Sequence, residues 1–227
     1  MKDQYRRKIE TYYTDLYKSS ENEIRGVGSS SMQKKNLRYQ KISNVFKDDN
    51  EEISIHDVGF ALGHFYDFIR REFSVKKITY SGSEVTNEFT KECIKKYPEC
   101  SFINRCISKE GFDTDESYDY IIFSGTFYHQ ADIDEESYFN EIKKSLEKAF
   151  EHTNKAIAIN FLTTNVDYKI KSLYYQEMSK ILQFIHTKLS RFIKIDQDYP
   201  LYEYTIFIYK ESYIKQKYQA DHFKKYF

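Results

Sequence analysis

Ile53-Ser54-Ile55-His56-Asp57-Val58-Gly59-Phe60-Ala61-Leu62-Gly63-His64-Phe65 is the stretch whose reading decides the fold. Its first half predicts a short buried strand, its middle a tight glycine-containing turn, and its end the start of a helix. A strand that enters a helix this way leaves backbone N–H groups and a positive helix end facing a cleft. Small residues at Gly59, Ala61 and Gly63 let a ligand approach the backbone.

Downstream of this stretch, strands and helices alternate. A helix near 63–73 follows, then a strand near 77–80 and a helix near 86–97 that Pro98 ends. A third strand is expected at 101–107. Tyr120-Ile121-Ile122-Phe123 is an unbroken apolar run, as in a sheet covered on both faces. A helix near 136–150 and the strand 156–162 continue the alternation. After a helix near 172–189, two strands at 192–195 and 204–209 flank Asp196–Glu203 with no helix between them, so they pair antiparallel. Five strand–helix units and a closing hairpin predict an α/β, doubly wound, seven-stranded, mostly parallel sheet with a C-terminal antiparallel hairpin. The tail 211–227 reads as a terminal helix.

Upstream, residues 2–18 carry apolar residues at helical spacing. Residues 19–31 read as a glycine- and serine-containing loop, and 32–46 as a second helix. Residues 1–50 therefore form an N-terminal helical cap or extension, with ligand contact as the second reading, and 51–227 form the main domain.

Composition excludes several function classes. Apolar residues make up 40% of 227, enough for a core, and no apolar run is long enough to cross a bilayer. No signal pattern precedes the first charges, so a cytoplasmic protein is expected. Thirty-five basic and 35 acidic residues cancel, which gives no electrostatic case for nucleic acid or an anionic membrane. Cys93, Cys100 and Cys106 are odd in number and lack zinc-ligand spacing, so reduced thiols are expected. The 22 tyrosines and absent tryptophan fit an AT-rich coding bias, so single tyrosines carry little weight.

In a doubly wound sheet, ligands sit at the carboxyl ends of the strands. Those ends are Asp57-Val58-Gly59, Ser81-Gly82-Ser83-Glu84, Arg105-Cys106-Ile107, Ser124-Gly125-Thr126 and Asn160-Phe161-Leu162. Four of the seven glycines, at 59, 63, 82 and 125, lie there or just beyond. A carboxylate after the second strand, Glu84, can accept two ribose hydroxyls; an exposed helix-opening glutamate is the alternative.

Asp57-Val58-Gly59-x-Ala61-x-Gly63, Tyr80-x-Gly82-x-Glu84 and Tyr118-Asp119-Tyr120-Ile121-Ile122-x-Ser124-Gly125 together resemble the class I S-adenosylmethionine-dependent methyltransferases. Ala156–Leu162 and the hairpin around Tyr199-x-x-Tyr202-Glu203-Tyr204 resemble that family's last three strands. The likeness spans about residues 53–210. The leader resembles that of bacterial small-molecule members, with Gln33 and the Arg38-Tyr39 pair.

The resemblance implies a Rossmann-like fold and S-adenosylmethionine as cofactor, with S-adenosylhomocysteine as product. Asp57, Gly59, Ala61 and Gly63 would hold the methionyl part, and Arg38 from the leader would also contact the cofactor. Glu84 would take the ribose, Arg105 and Cys106 would flank the adenine, and Ser124, Gly125 and Thr126 would line the sulfonium side. Tyr128 and His129 would lie beside the acceptor. His129 is the candidate general base, with a loop-stabilising histidine as the alternative. Phe60, Ala61 and Cys106 depart from the family pattern, which keeps a degenerate, non-catalytic cofactor-binding protein open. NAD-dependent oxidoreduction ranks lower, because its pyrophosphate turn wants three close glycines.

The strand ends hold no acidic cluster, so no metal is expected. The Asn/Asp-Pro-Pro-aromatic signature is absent after the fourth strand. The expected partner is a small-molecule methyl acceptor, such as a nucleotide-linked sugar or surface-polysaccharide precursor methylated at oxygen. A monomer or homodimer is expected.

Overall fold

The structure, a computed structural model, describes residues 4–227. Five parallel strands form the body of one sheet: β1 (Ile53–Val58), β2 (Ile78–Glu84), β3 (Ser101–Asn104), β4 (Tyr118–Phe123) and β5 (Thr153–Thr163). A two-residue β6 (Tyr175–Gln176) precedes the closing pair, β7 (Ile193–Asp196) and β8 (Glu203–Tyr209). The order is β3-β2-β1-β4-β5-β8-β7, with β6 beside β5. β8 runs antiparallel to both β5 and β7, which is the expected hairpin. The chain therefore has the Rossmann-like fold, and its sheet reverses direction of growth between β1 and β4.

The unbroken apolar runs divide by alternation. Ile121 and Phe123 of β4, Ile157, Ile159 and Phe161 of β5, and Tyr204, Ile206 and Ile208 of β8 join one apolar cluster. Tyr120 and Ile122, Ala156 and Ala158, and Phe207 join the cluster on the opposite face. Successive side chains point to opposite faces, so a run with no polar member means that both faces are covered.

Helices supply the cover. α1 (Gln4–Ser19), α7 (Glu135–Glu151) and α8 (Met178–Lys188) contribute Ile9, Ile142, Leu146 and Ile181 to the first cluster. α3 (Met32–Ile42), α4 (His64–Glu72) and α5 (Asn87–Lys96) contribute Tyr39, Ile42, Phe65, Phe68 and Cys93 to the second. The leader thus belongs to both layers of the core. α3 and α7 open on side-chain N-caps: Ser31 accepts from the Lys34 N–H at 3.2 Å, and Asp134 from the Ser137 N–H at 2.8 Å.

The differences from expectation have local causes. Residues 2 and 3 of the first expected helix lie outside the described residues. The expected loop 19–31 holds a single helical turn, α2 (Glu23–Gly26), capped by the Asn22 side chain. The second leader helix breaks into a 3-10 turn at Ser43–Val45. β3 ends at Asn104 rather than 107, because the Asn104 amide donates to the carbonyls of Glu84 and Val85 and closes the ladder; a short α6 (Ile107–Glu110) follows. The helix expected from 172 begins only at Met178, because Tyr175 and Gln176 pair with Leu162 and Thr163. The terminal helix stops early: α9 (Glu211–Lys217) gives way to a 3-10 stretch at Asp221–Tyr226.

Candidate functional site

The turn after β1 shows why small residues recur at every second position. Gly59, Ala61 and Gly63 all take positive φ, at +82°, +50° and +75°. Only glycine adopts that region freely, and an alanine there costs roughly 1–2 kcal/mol. Ala61 is held in it by its own backbone: its N–H donates to Glu84 Oε2 at 3.1 Å, and its carbonyl accepts from the Cys93 thiol at 3.4 Å. The Phe60 ring packs on Phe102 with centroids 4.5 Å apart, at the edge of the cavity it helps to line. That ring also explains Gly82, whose missing Cβ would lie 2.5 Å from Phe60 Cδ1.

One cavity opens at the carboxyl ends of β1, β2 and β4, roofed by the leader. Asp57, Gly59, Ala61 and Glu84 line it, as do Arg105 and Cys106. Ser124, Gly125 and Thr126 form the β4 side, with Tyr128, His129 and Arg38. Eleven residues named for roles from sequence, together with Thr126, therefore meet in one place. Gly63 is the exception and requires a correction. It does not face the cavity; the Tyr97 ring occupies the space its Cβ would take, 2.5 Å from Tyr97 Cε2. Gly63 is needed for packing and for the left-handed entry into α4.

Glu84 is buried without a cationic partner. Its Oε1 accepts from the Thr86 N–H at 2.8 Å and its Oε2 from the Ala61 N–H. Burial raises its pKa, and these backbone bonds pull it back. Asp57 is likewise buried: Tyr80 donates to Oδ2 at 2.6 Å, whereas Oδ1 has no partner. Burial pushes its pKa up to about 7, with Glu84 adding to the shift. Ser124 Oγ is a second orphaned polar atom on the cavity wall.

Cations come from α3, where Lys35, Arg38, Tyr39 and Ile42 fall on one helical face. Lys35 is 5% exposed, contacts His64 Nδ1 at 3.1 Å and lines the cavity. Burial, and after it Arg38, lowers its pKa to about 7. His64 is itself kept neutral by burial and by Lys35, with a pKa of about 4. Gln33, the leader residue singled out by resemblance, is exposed instead.

Arg38 is clamped. Nε and Nη2 donate to the two oxygens of Glu203 at 2.9 and 2.5 Å, and the guanidinium lies 4.7 Å from the Tyr128 ring centre. Asn160 ties the group together: it donates to Glu203 Oε2 at 3.1 Å and to the Tyr128 hydroxyl, and it accepts the Gly125 N–H at 2.8 Å. Thr126 Oγ1 donates to the Val58 carbonyl at 2.7 Å, locking the β4 loop to β1.

Arg105 faces the cavity, but its guanidinium is engaged by Asp113 at 2.7 Å and by Glu116. Cys106 is buried, and burial raises its thiol pKa. All three cysteines are free. His56 bridges Ser81 Oγ at 2.9 Å and Ser83 Oγ at 3.1 Å. Burial lowers its pKa to about 3. Among the described residues no group of three His, Cys, Asp or Glu side chains could hold a metal ion, and no helix is long and apolar enough to cross a membrane.

Sequence reasoning missed Lys35 and Glu203. The i, i+3, i+4 face 35–38–39 was a signal for the first, and an acid opening the apolar run of β8 was a signal for the second.

No protein-family model matches the sequence, and no curated protein does. Solved structures do match in fold. A 1,6-didemethyltoxoflavin-N1-methyltransferase from Burkholderia thailandensis, with its substrate and S-adenosylhomocysteine bound, superposes with a TM-score of 0.62 at 10% identity. It covers 91% of this chain and 89% of its own. Magnesium protoporphyrin IX methyltransferase from Synechocystis PCC 6803, with S-adenosylhomocysteine bound, gives 0.61 at 9% identity, covering 92% and 100%. The plantazolicin methyltransferase, also with S-adenosylhomocysteine, gives 0.60 at 13%, covering 91% and 96%. These structural neighbours are class I S-adenosylmethionine-dependent methyltransferases, and the shared property is the fold.

Proposed function

We propose that this chain is an S-adenosylmethionine-dependent methyltransferase acting on a small molecule. The observation that carries the reading is Glu84: a buried carboxylate with no cation, facing a cavity beside a backbone turn. Isolated buried charge is costly, so a site that keeps one has a use for it, and two ribose hydroxyls match its remaining lone pairs. The rest of the wall fits the same molecule. Asp57 Oδ1 and Ser124 Oγ are unpartnered acceptors suited to the methionyl ammonium, and Lys35 is a buried ammonium suited to its carboxylate. Gly59 and Gly125 bring backbone to the wall, and Arg38 contributes its unclamped Nη1 edge. Arg105 and Cys106 flank the adenine end, while Tyr128 and His129 lie on the acceptor side.

When bound, the cofactor would supply an electrophilic methyl carbon whose C–S bonding pair leaves with sulfur. The protein's contribution is alignment and exclusion of water. His129, buried and with Nε2 unpartnered, is the general base for a hydroxyl acceptor. We assign the acceptor to small metabolites, with a nucleotide-linked sugar or surface-polysaccharide precursor as the working choice on family resemblance. Transfer is independent of metal, and the active species is a monomer or homodimer in the cytoplasm. Calorimetric titration with S-adenosylhomocysteine tests the cofactor assignment: one-site binding supports it, and no heat at millimolar ligand rejects it.

A further inference from the structure

His129 is reached by three segments of the chain. From α1, the Tyr12 hydroxyl lies 2.8 Å from Nδ1, with ring centroids 5.0 Å apart, and Tyr13 meets the ring edge-on at 5.9 Å. From the leader loop, Gly28 lies against Nε2: a Cβ built there would be 2.8 Å away, and Gly28 takes φ +74°. From the loop before β6, Leu173 bridges to the His129 backbone. The histidine is 9% exposed, and Nε2 is buried with no hydrogen-bond partner. His129 and Gly28 both line the cavity, whereas Tyr12 meets the opposite edge of the ring.

We propose that Tyr12 is the positioning residue of the base: by accepting the Nδ1–H of His129 it leaves Nε2 unprotonated at the cavity wall, where Gly28 packs against it. The proposal rests on the methyl-transfer reading and deepens it. A neutral imidazole carries one proton, so whichever group occupies Nδ1 decides what Nε2 can do. A phenol oxygen can accept, and Tyr12 stays protonated because burial raises its pKa. Burial holds the His129 pKa below the usual histidine value, and the backbone carbonyls of Gly28 and Ser172 act against that shift. The ring thus rests neutral and has acceptors waiting for its protonated form.

In the reaction the acceptor's O–H bond breaks with its electron pair retained on oxygen, which becomes the C–O bond. The proton goes to Nε2. The imidazolium then donates from Nδ1 to Tyr12 and later releases the Nε2 proton to water. The leader therefore completes the base as well as roofing the cavity.

The test is nitrogen NMR of histidine-labelled protein, free and with S-adenosylhomocysteine, with His129 assigned by His129→Gln. The expected result is a neutral ring protonated at Nδ1 in the wild type. Tyr12→Phe, which keeps the ring contacts, should move the proton to Nε2 and lower the His129 pKa by about one unit, the scale of one lost hydrogen bond to a charged group. A wild-type ring protonated at Nε2 overturns the proposal, whatever the stability of the variant; so does a Tyr12→Phe protein with unchanged tautomer and pKa. Failure of the wild type to bind S-adenosylhomocysteine in the same samples counts against the methyl-transfer reading alone.

Discussion

Replacing Glu84 separates a cofactor carboxylate from a structural one. In the folded protein its two oxygens accept N–H groups from Thr86 and Ala61 at 2.8 and 3.1 Å, and no cation neutralises it. Glu84→Gln keeps the length of the side chain and one acceptor oxygen. The new amide N–H₂ must face one of those backbone N–H groups, and it can no longer accept a ribose hydroxyl. Hydrogen bonds to a charged group are worth about 1.5–3 kcal/mol. Loss of one predicts binding of S-adenosylhomocysteine weaker by about 2 kcal/mol, roughly 30-fold. Stability should change much less. The carboxylate's raised pKa already marks a desolvation penalty that the amide does not carry. Calorimetry at pH 7.5 reads the affinity, and thermal unfolding without ligand reads the fold. Affinity within twofold of wild type, in a protein that melts normally, would refute the ribose assignment.

Asp57 gives the cofactor site a pH dependence. Its carboxyl is held near pH 7 in the free protein, so it must lose a proton to meet an ammonium. Lys35, also held near 7, must gain a proton to meet the ligand carboxylate and opposes this slope, so the limb is read in Lys35→Met. Affinity for S-adenosylhomocysteine should there rise with pH through about 7, and adding Asp57→Asn should flatten it; an unchanged limb contradicts the assignment. Lys35→Met should weaken the same ligand by roughly tenfold, about 1.4 kcal/mol, yet stabilise the free protein. The folded pKa of Lys35, about 7, lies below the unfolded value near 10.5, so between these the unfolded chain binds the extra proton and wild-type stability rises with pH. The gain in melting temperature should therefore be larger at pH 6 than at pH 9.5, and the opposite order would be decisive against it. Arg38→Met leaves the Glu203 carboxylate buried beside Asn160 and Tyr128 with no cation and should cost about 3–5 kcal/mol by denaturant titration; a loss under 1 kcal/mol would show that the pair is not a buried clamp. Gly63→Ala should destabilise by about 1–3 kcal/mol through backbone strain and overlap with Tyr97, with ligand affinity unchanged in the folded fraction. Weakened binding at normal stability would return Gly63 to the cofactor site.

The sheet was legible because its signals are local. Ile121, Ile122 and Phe123 must be buried on both faces, and Gly59 and Glu84 stand at strand ends where topology gathers ligands. The hairpin followed from two strands with no helix between them. Less legible were features set by contacts between distant segments. Tyr175 and Gln176 become β6 only because Leu162 and Thr163 extend past the end of β4. Gly63 looked like a ligand glycine because its spacing is that of Gly59, but Tyr97, from the end of the next helix, fills the space. Ala61 and Phe60 looked like departures from the family pattern. Ala61 is instead fixed by Glu84 and Cys93, and the Phe60 ring points to Phe102. Lys35 was hidden among many lysines in a charged leader, and its burial depends on how α3 lies over the cavity.

The cavity should hold S-adenosylmethionine and its product. Calorimetric titration of the wild-type protein with S-adenosylhomocysteine, with NAD in a parallel cell, tests it most directly. One-site saturation by S-adenosylhomocysteine at micromolar concentration, about −8 kcal/mol, is expected, with no comparable heat from NAD. Saturation by NAD, or no binding of S-adenosylhomocysteine at millimolar concentration, would contradict it.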